Sequence, residues 1–79
     1  MNLFVSRLTG LINDSGKPQN DICKDLGIYK QKLSRWKLGS TEPNLDDLII
    51  IANYFEVTTD YLLGLEDETG TKIKINLKK

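Results

Sequence analysis

The stretch QNDICKDLGIYKQKLSRWKL, residues 19–38, decides how this 79-residue chain folds. Ile22 and Leu26 stand four apart and Leu33 and Trp36 three apart, which places each pair on one face of a helix. Cys23 sets a small side chain beside the first pair. Between the two runs lies Gly27, which takes a left-handed backbone without the clash that a Cβ would bring. The pattern predicts two short helices joined by a tight turn through Gly27, Ile28 and Tyr29. The outer face of the second carries Lys30, Gln31, Lys32, Ser34 and Arg35, all hydrogen-bond donors and three of them cations.

Two helices, a glycine turn and a polar second face are the sequence signs of a helix-turn-helix. The stretch resembles the helix-turn-helix of the phage Cro and repressor family, also called the XRE-like family. That family commonly opens the first helix with Gln, matched by Gln19, and has a small residue four before the turn glycine, matched by Cys23 and Gly27. A bulky side chain at Cys23 would push two steeply crossing helices apart. Buried apolar residues of the family fall at Ile22, Leu26, Ile28, Leu33 and Trp36. The resemblance continues through Gly39, Pro43-Asn44-Leu45 and VTTDYLLG (57–64), and so covers about residues 3–64. One position departs from it: Lys37 stands where the family often has Glu, which removes an intramolecular acidic contact and adds a cation beside the DNA backbone. The resemblance implies an all-α, five-helix, lambda-repressor-like DNA-binding domain over residues 1–64, with 65–79 an acidic turn and a basic strand-like tail.

Composition bounds the alternatives. Seventy-nine residues make one small domain, close to the size at which a core needs no metal or disulfide to hold it. One Cys and no His leave neither a disulfide framework nor a His/Cys metal cluster, and point to a reducing compartment. The N-terminus lacks a basic region followed by a continuous apolar run, and the apolar run 48–52 is too short to span a bilayer. The expectation is a soluble, cytoplasmic chain.

Net charge is zero, whereas nucleic-acid-binding domains are often basic. The signs are segregated, however. Residues 1–41 carry seven basic and three acidic side chains, residues 42–71 carry eight acidic and no basic ones, and residues 72–79 carry four lysines. Such polarity suits a molecule that turns one face to a polyanion, whereas ordinary solvated surface charge would interleave the signs.

Around the motif, Leu3, Phe4, Leu8, Leu11 and Ile12 mark one face of a helix running to about Asp14, with Asn2 or a neighbour as its cap. Gly10 inside it suggests a close helix contact, since glycine there costs roughly 1 kcal/mol relative to Ala. Pro18 sits at or just before the start of the next helix. Asn44 caps a fourth helix, with Asp46 and Asp47 favourably placed for its dipole. Leu45, Leu48, Ile49, Ile51, Ala52 and Phe55 supply most of the remaining core, with Ile50 and Tyr54 at its edge. Thr58 or Thr59 opens the last helix and Gly64 closes it.

In a helix-turn-helix the N-terminal half of the second helix enters the major groove. Gln pairs bidentately with adenine, and Arg or Lys with guanine. The family resemblance places base readers at Lys30, Gln31 and Arg35, with Lys32 and Ser34 beside them. Phosphate contacts are expected from Gln19 at a helix N-terminus, from Lys37, and from Ser40 and Thr41 in the following loop. For Gln19 the other reading is a solvated cap. Tyr29 either meets the DNA backbone or packs on the domain. The apolar spacing of Trp36 with Leu33 favours burial over a nucleic-acid contact, and Cys23 without a His to activate it is a small core residue. No residue is expected to be catalytic or to bind a metal, cofactor or small-molecule substrate.

In the tail, Ile73, Ile75 and Leu77 alternate with Lys72, Lys74, Asn76 and Lys78, the two-residue repeat of a half-buried strand. It pairs with its two-fold copy in a homodimer, as in some Cro proteins, or forms a disordered basic tail, or folds back over the domain. The expected function is that of a DNA-binding transcriptional regulator, a Cro-like repressor of bacterial or phage type that reads a palindromic operator. The competing reading is a protein-binding module on the same fold, an antitoxin or antirepressor. Exposed Lys30, Gln31, Lys32 and Arg35 argue against it, because a protein-binding helix exposes apolar anchors.

Overall fold

Phe4, Leu8 and Ile12 recur every four residues and give the first helix an inward stripe. The computed structural model, which describes residues 3–73, buries all three. Five α-helices follow one another among those residues: α1 Phe4–Ser15, α2 Gln19–Leu26, α3 Lys30–Leu38, α4 Leu45–Tyr54 and α5 Thr59–Leu63. The architecture is all-α, as the sequence predicts, and most boundaries have a local cause. Pro18 precedes α2 with an extended backbone, where its missing N–H does no harm. Asn44 caps α4 by accepting the Asp47 N–H at 2.7 Å, and Thr58 caps α5 by accepting the Tyr61 N–H at 3.0 Å. The N-cap of α1 is Leu3, which makes no side-chain cap bond. The expected Asn2 cap lies outside the described residues.

The core draws Phe4, Leu8 and Ile12 from α1, Ile22 and Cys23 from α2, Leu33 and Trp36 from α3, Ile51 and Ala52 from α4 and Leu62 from α5. Helix α1 packs on α3 and α5, α2 packs on α3 and α4, and α4 packs on α5. No polar side chain is buried among the described residues. This arrangement holds α3 by Leu33 and Trp36, which are almost fully buried, and leaves its other side in solvent.

Three expectations are corrected. Leu45 is 79% exposed and Ile49 51%, so neither belongs to the core, which takes only Ile51 and Ala52 fully from α4. The reason is that α4 is apolar almost all round, and only one of its faces meets α2 and α5. Gly10 marks no close contact: a Cβ there would meet nothing within 4 Å. The close approach is at Gly64 instead. At φ 85° a Cβ on it would come within 2.9 Å of the Leu3 side chain, so glycine serves both the turn and the packing of the α1 start.

Beyond α5 the chain reverses. Asp67 accepts the backbone N–H groups of Thr69 and Thr71 on one carboxylate oxygen, and Glu66 and Lys72 form an isolated antiparallel bridge. The Ile73 N–H donates to the Leu65 carbonyl at 2.9 Å. Lys72 pairs with Asp60 and Glu66, and Arg7 of α1 donates to the carbonyls of Tyr61 and Glu66, both at 2.9 Å. Lys72 and Ile73 therefore fold back on the end of the helical domain, with Ile73 40% exposed. Ile75 and Leu77, the rest of the expected dimerisation strand, lie outside the described residues.

Candidate nucleic-acid interface

The turn between α2 and α3 is built by Gly27 at φ 69°, where only glycine is unstrained. The Ile28 N–H returns to the Cys23 carbonyl at 3.0 Å, closing α2, while the Ile28 side chain packs against the core. Tyr29 follows in an extended backbone as the N-cap of α3 and makes no side-chain cap bond. The first N–H groups of α3 are therefore not capped from within, and helix N-terminal N–H groups attract anions. Tyr29 itself is 82% exposed, so of its two sequence readings it does not pack on the domain.

On α3, Lys30, Gln31, Lys32, Ser34 and Arg35 are all exposed. Gln31 and Arg35, four apart, share one strip of the helix, and Lys30 and Ser34 share another. Among the described residues the side chains of Lys30, Gln31, Ser34 and Arg35 make no hydrogen bond or ion pair. Lys32 differs from them. Its ammonium pairs with Asp47 of α4 at 3.0 Å and lies 5.6 Å from the centre of the Trp36 ring. A groove of about 460 Å³ runs beside α3, with Gln31, Lys32 and Arg35 on one wall and Thr41, Asn44 and Asp47 on the other.

The expected phosphate contacts are less uniform. Gln19 is the exposed first residue of α2, whose N-cap Pro18 offers no side-chain acceptor. Thr41 lines the groove opposite α3. Ser40 uses both its N–H (3.0 Å) and its hydroxyl (3.3 Å) on the Arg35 carbonyl, and so caps α3. To reach a phosphate, that hydroxyl has to release the carbonyl. Lys37 is half-buried and lies two turns on from Lys30, on the strip of α3 that Lys30 and Ser34 share.

Besides Lys32, two more cations of the basic N-terminal half are engaged internally. Arg7 is held by its two carbonyls and stacks 4.1 Å from the centre of the Tyr61 ring. Lys17 lies 3.3 Å from Asp25, which also accepts the Tyr54 hydroxyl at 2.5 Å. The Tyr54 hydroxyl, and then Lys17, hold the Asp25 carboxyl below the usual carboxylate range. The same hydrogen bond from Tyr54 to Asp25 pushes the phenol up. Sequence reasoning treated Asp47 only as a dipole partner for α4 and so missed its pairing with Lys32. Fifteen positions separate the two, and no local periodicity joins them.

Cys23 is buried, and no group of His, Cys, Asp or Glu among the described residues could hold a metal. No described helix is long and apolar enough to cross a membrane.

A family model described as helix-turn-helix matches residues 11–62. The HTH-type transcriptional regulator YobD of Bacillus subtilis is 31% identical over 78 residues, covering 98% of this chain and 70% of the relative. The HTH-type transcriptional activator BcrR of Enterococcus faecalis is 30% identical over 79 residues, 96% of this chain and 39% of its own length. An SPbeta prophage-derived HTH-type regulator of Bacillus subtilis, YonR, is 33% identical over 61 residues, 77% of this chain and 56% of its own. No solved structure matches.

Proposed function

The chain belongs to the XRE-type helix-turn-helix family of transcriptional regulators, which bind double-stranded DNA and are not enzymes, and from that premise we propose that it is a Cro-like repressor. In this reading two copies related by a two-fold axis present their α3 helices to successive major grooves, with half-sites roughly 34 Å apart. Lys30, Gln31 and Arg35 read base edges, and Ser34 lies beside them. Gln19, Tyr29, Thr41 and Lys37 meet phosphates, and Ser40 joins them if it releases Arg35. Ile73, with Ile75 and Leu77 beyond it, remains the proposed dimerisation element. Repression follows from occupancy, because a protein bound across a promoter excludes polymerase.

One observation carries the proposal. Leu33 and Trp36 anchor α3 in the core, while Lys30, Gln31 and Arg35 on its outer side have no intramolecular partner among the described residues. Unpaired donors on an anchored helix are free to meet base edges, and the helix from which they project is already in place before the DNA arrives. The relative named an activator is more than twice the length spanned by this chain, and its sign of regulation is its own.

The test is selection of genomic fragments by the purified protein, followed by footprinting and a reporter assay on the enriched site. A palindromic footprint with reduced reporter output is expected. An asymmetric footprint contradicts the dimeric reading, and raised output contradicts repression. Binding with no enrichment leaves only nonspecific coating, and no binding shifts the weight to a protein partner.

A further inference from the structure

The Lys32–Asp47 pair crosses from α3 to α4 at the wall of the groove. Its two members differ in freedom. The Asp47 side chain is short and only 16% exposed, and its backbone is pinned by the Asn44 cap at 2.7 Å, so its carboxylate has little room to move. It also sits in the first turn of α4, where the helix dipole favours a negative charge. Lys32 is 45% exposed and flexible, and its ammonium comes to the carboxylate. Neither Lys30 nor Arg35 has a comparable partner among the described residues. A partly exposed ion pair of this kind adds little to folding stability. Its consequence falls on whatever approaches α3.

We propose that Asp47 is a positioning residue for DNA binding: it withdraws Lys32 from the contact surface, so that Lys32 neither reads a base nor neutralises a phosphate. This rests on the regulator reading above. The pair presents no net charge to DNA, and the groove wall is kept from binding duplexes of every sequence through one more lysine. Specificity gains by that subtraction, since a phosphate contact raises affinity for all sequences alike. The device is the reverse of a basic patch. One anion is built into the edge of the surface to hold a cation back.

Each phosphate neutralised adds about 0.9 to the slope of log affinity against log salt. Asp47→Asn keeps the backbone N–H that Asn44 caps and removes the charge that holds Lys32. Binding of the full chain to a mixed-sequence duplex, followed by fluorescence anisotropy between 50 and 200 mM salt, is then expected to show a steeper slope for this variant. The advantage of Asp47→Asn over the wild type should shrink roughly 3.5-fold across that fourfold salt range, the fold-change that a slope of 0.9 gives. Lys32→Gln in the Asp47→Asn background should return the slope to the wild-type value, and Asp47→Glu should keep it there. Equal slopes for wild type and Asp47→Asn overturn the proposal. So does a steeper slope that persists in the double variant, which would assign the effect to lost repulsion and not to a released lysine. If no form binds duplex DNA at any salt, the regulator reading itself has failed and this inference with it. Amide spectra of the free variants confirm that the fold is retained.

Discussion

The outer side of α3 and the far end of the domain, where α1, α5 and the 65–73 hairpin meet, use polar side chains in opposite ways. On α3, Lys30, Gln31 and Arg35 are exposed and unpaired among the described residues. At the far end Arg7 is spent on two carbonyls and a tyrosine face, Lys72 on Asp60 and Glu66, and Asp67 on Thr69 and Thr71. Both regions are rich in charge. What separates them is whether the donors are already satisfied, and only unsatisfied donors are left for a partner. Net charge, zero for the chain, cannot register that difference.

Substitutions in the two regions should therefore fail differently. The largest effect on folding is expected from Arg7→Met, which keeps the side-chain stem and leaves two carbonyls without a charged donor. A loss of roughly 1.5–3 kcal/mol is expected in urea titrations, with the salt dependence of DNA binding unchanged; a changed slope would place Arg7 on the DNA surface. Arg35→Ala is the converse. It should leave the urea midpoint alone, cost roughly 1–3 kcal/mol of operator affinity and relax one base position in a repeated site selection. A uniform loss over all sequences would reduce Arg35 to a backbone contact.

Smaller effects sharpen the contrast. Gly10→Ala has open space for its methyl and should stabilise the fold by roughly 0.5–1 kcal/mol without touching DNA affinity. A loss of stability would mean that the expected helix contact at Gly10 exists after all. Where Lys17, Asp25 and Tyr54 meet, the sign of the pH effect follows from the shifts. The Asp25 carboxyl is lowered, so its contribution is present above the unfolded carboxylate value and is lost as pH falls through the folded one. Lys17 is raised, first by the Tyr54 hydroxyl and then by Asp25, so its contribution holds below the usual lysine value and is lost as pH rises through the folded one. Ultraviolet titration should show a late-titrating component from Tyr54, absent in Tyr54→Phe and moved back down in Asp25→Asn. An unmoved late component in Asp25→Asn would break the assignment.

Much of the fold was legible because its signals are local. The paired apolar residues of α2 and α3, the turn at Gly27, the Asn44 cap and the burial of Trp36 each follow from residues a few positions apart. Helix α4 resisted because Leu48 through Ala52 are apolar without a break, so periodicity does not say which face is buried. Leu45 and Ile49 were misplaced for that reason. Arg7 resisted differently: its partners are backbone carbonyls, which carry no residue signature. At the site, exposure of the α3 donors was legible from helical spacing alone. The capture of Lys32 by Asp47 and of Ser40 by Arg35 was not, since both depend on how α3 and its following loop are set in space.

DNA should meet the outer side of α3 and not the far end of the domain. Backbone amide NMR during titration with a duplex carrying the selected operator tests it most directly. Shifts should concentrate at residues 19, 29–37 and 41, with those at 58–72 unmoved. Shifts gathered on the acidic 42–71 segment, with α3 silent, would contradict it.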